Sequence, residues 1–225
     1  SAQTVHWELA HDEGFQRIVQ KGQATAAPER GHSVHVEVRG LEPGRWYHYR
    51  FMLGPATSTT GRTCTAPALH ALPGRLRVAF ASCQRWEHGH YAAWRHVCSD
   101  QPDLVLFLGD YIYEYATPKN TDGLARTHSL RHATTLADYR DRYALHKSDP
   151  ALQAAHAPCP WAVTWDDHEV QNDYAGGTNA QADAAAFLAQ RAAAWQAFYE
   201  NMPLRATALA GAQFDRLQVH RRLPW

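Results

Sequence analysis

The stretch PDLVLFLGDYIYE, residues 102 to 114, constrains the fold more than any other part of this chain. Leu104 to Leu108 is a continuous apolar run bounded by Pro102 and Gly109. It is too short for a helix and patterned as a strand buried on both faces. The run closes in Gly109-Asp110, where the backbone must turn sharply and a carboxylate is delivered to the strand's carboxyl end. In open α/β sheets that edge is where ligands bind. Tyr113, three residues on, returns to the same side if the chain starts a helical turn. Alone, Asp110 reads equally well as an ordinary cap, so its meaning depends on the neighbouring strands.

Two such neighbours are predicted. Leu76 to Ser82 reads as a second buried strand ending in Ser82-Cys83, followed by a helical pattern from His90 to Cys98 with Tyr91, Ala92, Trp94 and Val97 available for packing. With the central strand this makes a β-α-β unit, and such units build parallel sheets. Residues 115 to 132 read as a polar loop, and Thr135 to His146 as a helix ending before Asp149-Pro150. Trp161 to Trp165 is the third strand, closing in Asp166-Asp167-His168-Glu169. A loop through Gly176-Gly177 leads to an alanine-rich helix from Ala180 to Asn201, stopped by Pro203, and Phe214 to Arg222 is a further strand. Three consecutive strands thus end in Cys83, in Asp110 with Tyr113, and in Asp167 with His168. In a parallel sheet all three ends fall on one edge.

Before Arg75 the pattern is all-β. VHWELA near the start, the alternation of Val34, Val36 and Val38 with His35, Glu37 and Arg39, the aromatic run Trp46 to Phe51, and Thr57 to Thr65 are the strand candidates, with a Pro-Gly turn in LEPGRW. The strand, LEPG turn and aromatic strand resemble part of a fibronectin type III-like sandwich, which needs about seven strands. APALHALPG, residues 66 to 74, reads as a linker. The expected organisation is a partial β accessory domain over 1–66, a linker over 67–75 and an α/β domain over 76–225.

Composition excludes several classes. Lys plus Arg and Asp plus Glu balance at 22 each, which gives no general attraction to nucleic acid or anionic membranes. No apolar run approaches the roughly 20 residues a membrane span needs, and no basic-then-apolar signal segment opens the chain. The four cysteines form no CxxC pair, against a zinc knuckle or a disulfide scaffold.

Thiolate and phenolate are anionic, polarisable donors suited to ferric iron, whereas carboxylates also suit Ca²⁺ or Mn²⁺. Asp110 could bridge two cations, and His168 could donate a hydrogen bond or proton to a phosphoryl or leaving oxygen. Arg85, two residues past Cys83, reads as a surface residue or as a group that neutralises a substrate phosphate. Asn172 and Asp173 read as holding the loop after the third strand. RVAFASCQ (77 to 84), DLVLFLGDYIYE (103 to 114) and TWDDHEVQNDYAG (164 to 176), in this order, resemble the PhoD-type alkaline phosphatase/phosphodiesterase family of the metallophosphatase superfamily.

The resemblance implies an α/β metallophosphatase-like sandwich. It implies Fe³⁺ on Cys83, Asp110 and Tyr113, with Asp110 bridging to Ca²⁺. Asp167 would stand where related phosphatases carry the asparagine of a GNHE motif and would ligate the second metal. His168 matches that motif's histidine near the leaving group, and Glu169 either orients it or is a surface carboxylate. The activity implied is metal-dependent hydrolysis of phosphate mono- and diesters by a metal-activated hydroxide, in a parent protein that is exported (periplasmic or extracellular). The family completes its sites with later histidines, but after Asn201 this chain offers only Asp215 and His220. The expectation is therefore an N-terminal half with one sheet face uncovered and metals held weakly. The alternatives are a non-catalytic fragment that binds a partner through that face, or a purple acid phosphatase relative.

Overall fold

The computed structural model describes residues 1–179, 183–209 and 213–223. Its first part is one antiparallel sheet of β1 (Gln3–Ala10), β2 (Ile18–Ala26), β3 (Trp46–Leu53), β4 (Ala56–Thr57) and β5 (Gly61–Cys64), ordered β2-β1-β3-β4 with β5 also paired to β3. β2 is a strand that the sequence pattern does not announce. Its residues are largely polar, and its glycine interrupts the pattern. In register Gly22 faces Trp7, and a Cβ there would come within 2.7 Å of the indole, so the glycine is what lets the ring lie across the strand.

The expected strand at Val34 to Val38 does not form: residues 33–39 carry no ladder. The segment is instead docked by side chains onto the second part of the chain. His35 Nδ1 donates to the Leu204 carbonyl (2.8 Å) and its ring stacks on Tyr199 (4.2 Å), while Glu37 accepts from the Ala206 N–H (2.9 Å).

The second part is a three-stranded parallel sheet, β6 (Val78–Ala81), β7 (Leu104–Phe107) and β8 (Trp161–Val163), with β7 in the centre. The right order follows from the β-α-β unit whose helix, α1 (Ala93–Asp100), covers one face. There Trp94 packs at a tilt against Trp161 (4.9 Å), and Phe107 meets Tyr111 edge-on (5.0 Å). β6 is not the buried strand expected over Leu76 to Ser82. It is an edge strand, and its opposite face leaves Val78 38% and Phe80 76% exposed, because no helix covers that side among the described residues.

α2 (Leu136–Lys147) starts in a capping box between Thr135 and Asp138. Asp149-Pro150, read as a stop, instead caps a helix the sequence reading omitted, α3 (Pro150–His156): the Asp149 carboxylate accepts from the Ala151 and Leu152 N–H groups. α4 (Ala184–Asn201) begins on an Asp183 cap, four residues later than expected, and packs Phe187, Ala194, Ala197 and Phe198 into the core against α2; the anticipated first residues, 180–182, lie outside the described ones. Phe214 to Arg222 is not a strand. It is a short 3-10 turn at Phe214–Arg216 and one isolated bridge, Leu209 to Leu217, in which Leu217 and Val219 are buried as anchors. No helix among the described residues is long and apolar enough to cross a membrane.

Candidate metal centre

The three parallel strands deliver their ends to one edge, and the main chain there is bent hard. Cys83 (φ 58°) and Asp110 (φ 57°) both occupy the left-handed region that side chains rarely adopt, and Gly109 sits at φ 107°. Such conformations persist only where the surroundings impose them. The first and second ends are stitched by main-chain bonds that prolong the ladder, from Cys83 N–H to the Gly109 carbonyl and from Gln84 N–H to the Asp110 carbonyl (each 3.1 Å).

This geometry gathers one set of donors. Ligand atoms of Asp110, Asp167 and His168 lie within 4.8 Å of one another. Asp110 is 5% exposed; its Oδ2 accepts from the Tyr113 hydroxyl (3.0 Å), and its Oδ1 is buried with no hydrogen-bond partner. Asp167 Oδ2 accepts from the Asp173 N–H (2.6 Å). Burial, then the Asp110 charge and hydrogen bond, then the adjoining Cys83 thiol push the Tyr113 phenol far up, so without a cation it keeps its proton. Cys83 is exposed beside that hydroxyl, and all four cysteines are free thiols.

His168 is held by a residue to which the sequence reading assigned no role. Glu114, fully buried, accepts from His168 Nδ1 (2.8 Å) with one oxygen and from the Asn172 N–H (2.9 Å) with the other. With Nδ1 donating, Nε2 is the ring nitrogen left for chemistry. Burial alone lowers the imidazole pKa; the Glu114 hydrogen bond and charge, backed by Asp110 and Asp167, outweigh it, and the net shift is upward. The available signal was an acid in the apolar-aromatic run GDYIYE, since a buried carboxylate needs a partner.

Glu169 is neither a surface carboxylate nor the group that orients His168. It is fully buried and accepts from three backbone N–H groups: Asp110 (3.0 Å), Tyr111 (2.6 Å) and Asp166 (2.7 Å). Burial raises its pKa to about 7 against the pull of those three donors, and the Asp110 charge adds to the rise. Arg85 is likewise not simply solvated. It is partly buried, its Nε reaches Glu87 (3.4 Å), and its guanidinium lies 5.8 Å and 5.3 Å from the rings of Tyr113 and Tyr115. The Tyr113 ring in turn lies 4.3 Å from His168, which puts Arg85 at the rim of the cluster.

The donor set fits a cation. Among the described residues neither Asp110 nor Asp167 is paired with Lys or Arg, and an anionic oxygen of Asp110 is buried and unsatisfied. Two donors bound to one hard divalent ion at roughly 2.3–2.6 Å each stand at most about 5 Å apart, and the atoms of this group lie within 4.8 Å of one another. The Tyr113 phenol beside the Asp110 carboxylate, and the Cys83 thiol beside that phenol though outside the close group of three, extend the set towards a more highly charged ion.

Residues 78–225 match the family described as PhoD-like phosphatase, and residues 1–67 match the PhoD-like phosphatase N-terminal domain. The chain is 48% identical over 219 residues to alkaline phosphatase D of Bacillus subtilis (strain 168), covering 96% of this chain and 38% of that protein. A solved structure described as "Structure of PhoD" superposes with a TM-score of 0.93 at 48% identity, covering 98% of this chain and 42% of the other. The chain therefore spans about two fifths of the length of the relatives it matches.

Proposed function

Since the chain belongs to the PhoD-like phosphatase family, we propose that it carries the first half of the active site of a phosphate mono- and diester hydrolase that works with bound cations at the three strand ends. The observation that carries this reading is Asp110: its Oδ1 is buried without a partner, and its carboxylate shares a cluster with Asp167 and His168 whose ligand atoms lie within 4.8 Å of one another. Cys83, Asp110 and Tyr113 would hold ferric iron, and Asp110 with Asp167 would hold Ca²⁺. Bound there, the cations supply positive charge that polarises a phosphoryl group and acidifies water. The chain's own residues do the rest. The Asp173 N–H orients the Asp167 carboxylate, and the Tyr113 hydroxyl holds Asp110 in place until a cation takes the position of its proton. Glu114 fixes the imidazole so that His168 holds a proton on Nε2 for the leaving oxygen. The Arg85 Nη groups have no protein partner among the described residues and donate to non-bridging phosphate oxygens.

The test is turnover of an aryl phosphate and a bis-aryl phosphodiester by the protein with and without added iron and Ca²⁺. Turnover is expected only with metal, abolished in Asp110→Ala, and reduced about 10²- to 10⁴-fold in His168→Ala, the range for losing a general acid. Undiminished turnover in Asp110→Ala overturns the assignment.

A further inference from the structure

The second and third strand ends are not joined in the way the first and second are. The Phe107 carbonyl accepts from Thr164 N–H (2.9 Å), and past that point no main-chain hydrogen bond links residues 109–112 to 165–170 among the described residues. The ladder stops just before the residues that form the cluster. Glu114 ties the loops further out, at His168 and Asn172; next to Asp110 the gap is spanned by one side chain. Glu169 Oε2 accepts from both Asp110 N–H and Asp166 N–H, and Oε1 from Tyr111 N–H. The two oxygens of its carboxyl group have room to accept all three. It has no Lys, Arg or His partner among the described residues, so it is not one half of an ion pair.

We propose that Glu169 is a positioning residue that acts as a staple: by gathering the Asp110, Tyr111 and Asp166 amides it sets the separation of the Asp110 and Asp167 side chains, and hence cation affinity, without touching the cation. This rests on the metal-site reading above. Replacement by glutamine keeps the shape but turns one acceptor oxygen into an NH₂ that faces a backbone donor. Aspartate is one methylene too short to reach both loops at once.

Mn²⁺ is the probe, read by titration calorimetry and by its electron paramagnetic resonance signal, on the protein, on Glu169→Gln and Glu169→Asp, and on Arg140→Met, a destabilised control remote from the site. Glu169→Gln is expected to weaken Mn²⁺ binding at least 10-fold and alter the bound-ion spectrum. Glu169→Asp, which cannot reach both loops, should weaken binding at least as much, and the control should bind like the parent protein. Amide exchange supplies a readout that needs no variant: in the metal-free parent, the Asp110, Tyr111 and Asp166 amides should be protected well beyond ordinary loop amides. Loop-rate exchange there, or variants that bind Mn²⁺ with parental affinity and spectrum, overturns the staple. A parent that binds no Mn²⁺ overturns the metal-site reading instead, while the exchange data still judge Glu169.

Discussion

Adding one methyl group at Gly109 measures how closely the second and third strand ends are pressed together. A Cβ built there lies 2.5 Å from the Asp166 Cβ, 2.5 Å from the Asp166 nitrogen and 2.9 Å from the Trp165 carbonyl carbon. Carbon atoms pack at roughly 3.5–4.0 Å, so the overlap is about 1 Å, and two of the three atoms are backbone that no rotamer change can move. The two loops would have to separate. Moving them by that much would stretch the Glu169 bonds, now 2.6 to 3.0 Å, past hydrogen-bonding range. Two effects add. Forcing a side chain into φ 107° costs of order 1–3 kcal/mol, and overpacking a closed contact about 1–3 kcal/mol more, so Gly109→Ala should lose about 2–6 kcal/mol. For a chain of this length that is a fall in Tm of roughly 2–4 °C per kcal/mol. Gly40→Ala is the control. Its φ is 74° but nothing lies within 4 Å of the added methyl, so only the backbone term of about 1–2 kcal/mol applies. Urea unfolding followed by circular dichroism compares the two. A Gly109→Ala protein within about 0.5 kcal/mol of Gly40→Ala, roughly the scatter expected of independent sites, would show that the strand ends have room to spare and refute the reasoning.

Two further outcomes concern the body of the fold. Arg140 on α2 donates to both oxygens of the buried Glu200 on α4 (2.7 Å each) and to the Glu29 carbonyl (3.2 Å), so Arg140→Met strands a buried carboxylate and should cost about 2–4 kcal/mol in urea unfolding, whereas a change below about 0.5 kcal/mol means Gln196 alone suffices. His146 is fully buried, its pKa lowered by burial from 6.5 to about 3, so it is neutral in the folded chain. Its contribution is complete above pH 6.5 and is lost as pH falls from 6.5 towards 3, because the unfolded chain takes up the proton first, at a slope approaching about 1.4 kcal/mol per pH unit. His146→Leu should flatten that decline in unfolding free energy measured between pH 7 and pH 4, while His156 and His128, also held low by burial, keep part of the slope; an unchanged slope contradicts the assignment.

Local pattern was enough to place the central strand, the parallel order and the three strand ends, because a short apolar run followed by a tight turn is encoded within a dozen residues. Leu104–Phe107 and its Gly109-Asp110 turn are where periodicity puts them, and the helix expected over Thr135 to His146 forms over Leu136–Lys147. What the pattern could not decide was which of many polar residues end up without water. Glu114 and Glu169 look like any other acid in the sequence, yet each is fully enclosed and bonded to groups 54 to 59 residues away. The same limit explains β6 and residues 33–39: alternation tells which side chains share a face, but whether that face meets a helix, solvent or another segment depends on contacts between distant parts of the chain. Donor identity at the strand ends was therefore legible in the residues themselves. The desolvation that fixes His168 and clasps two loops together exists only once the chain has closed around them.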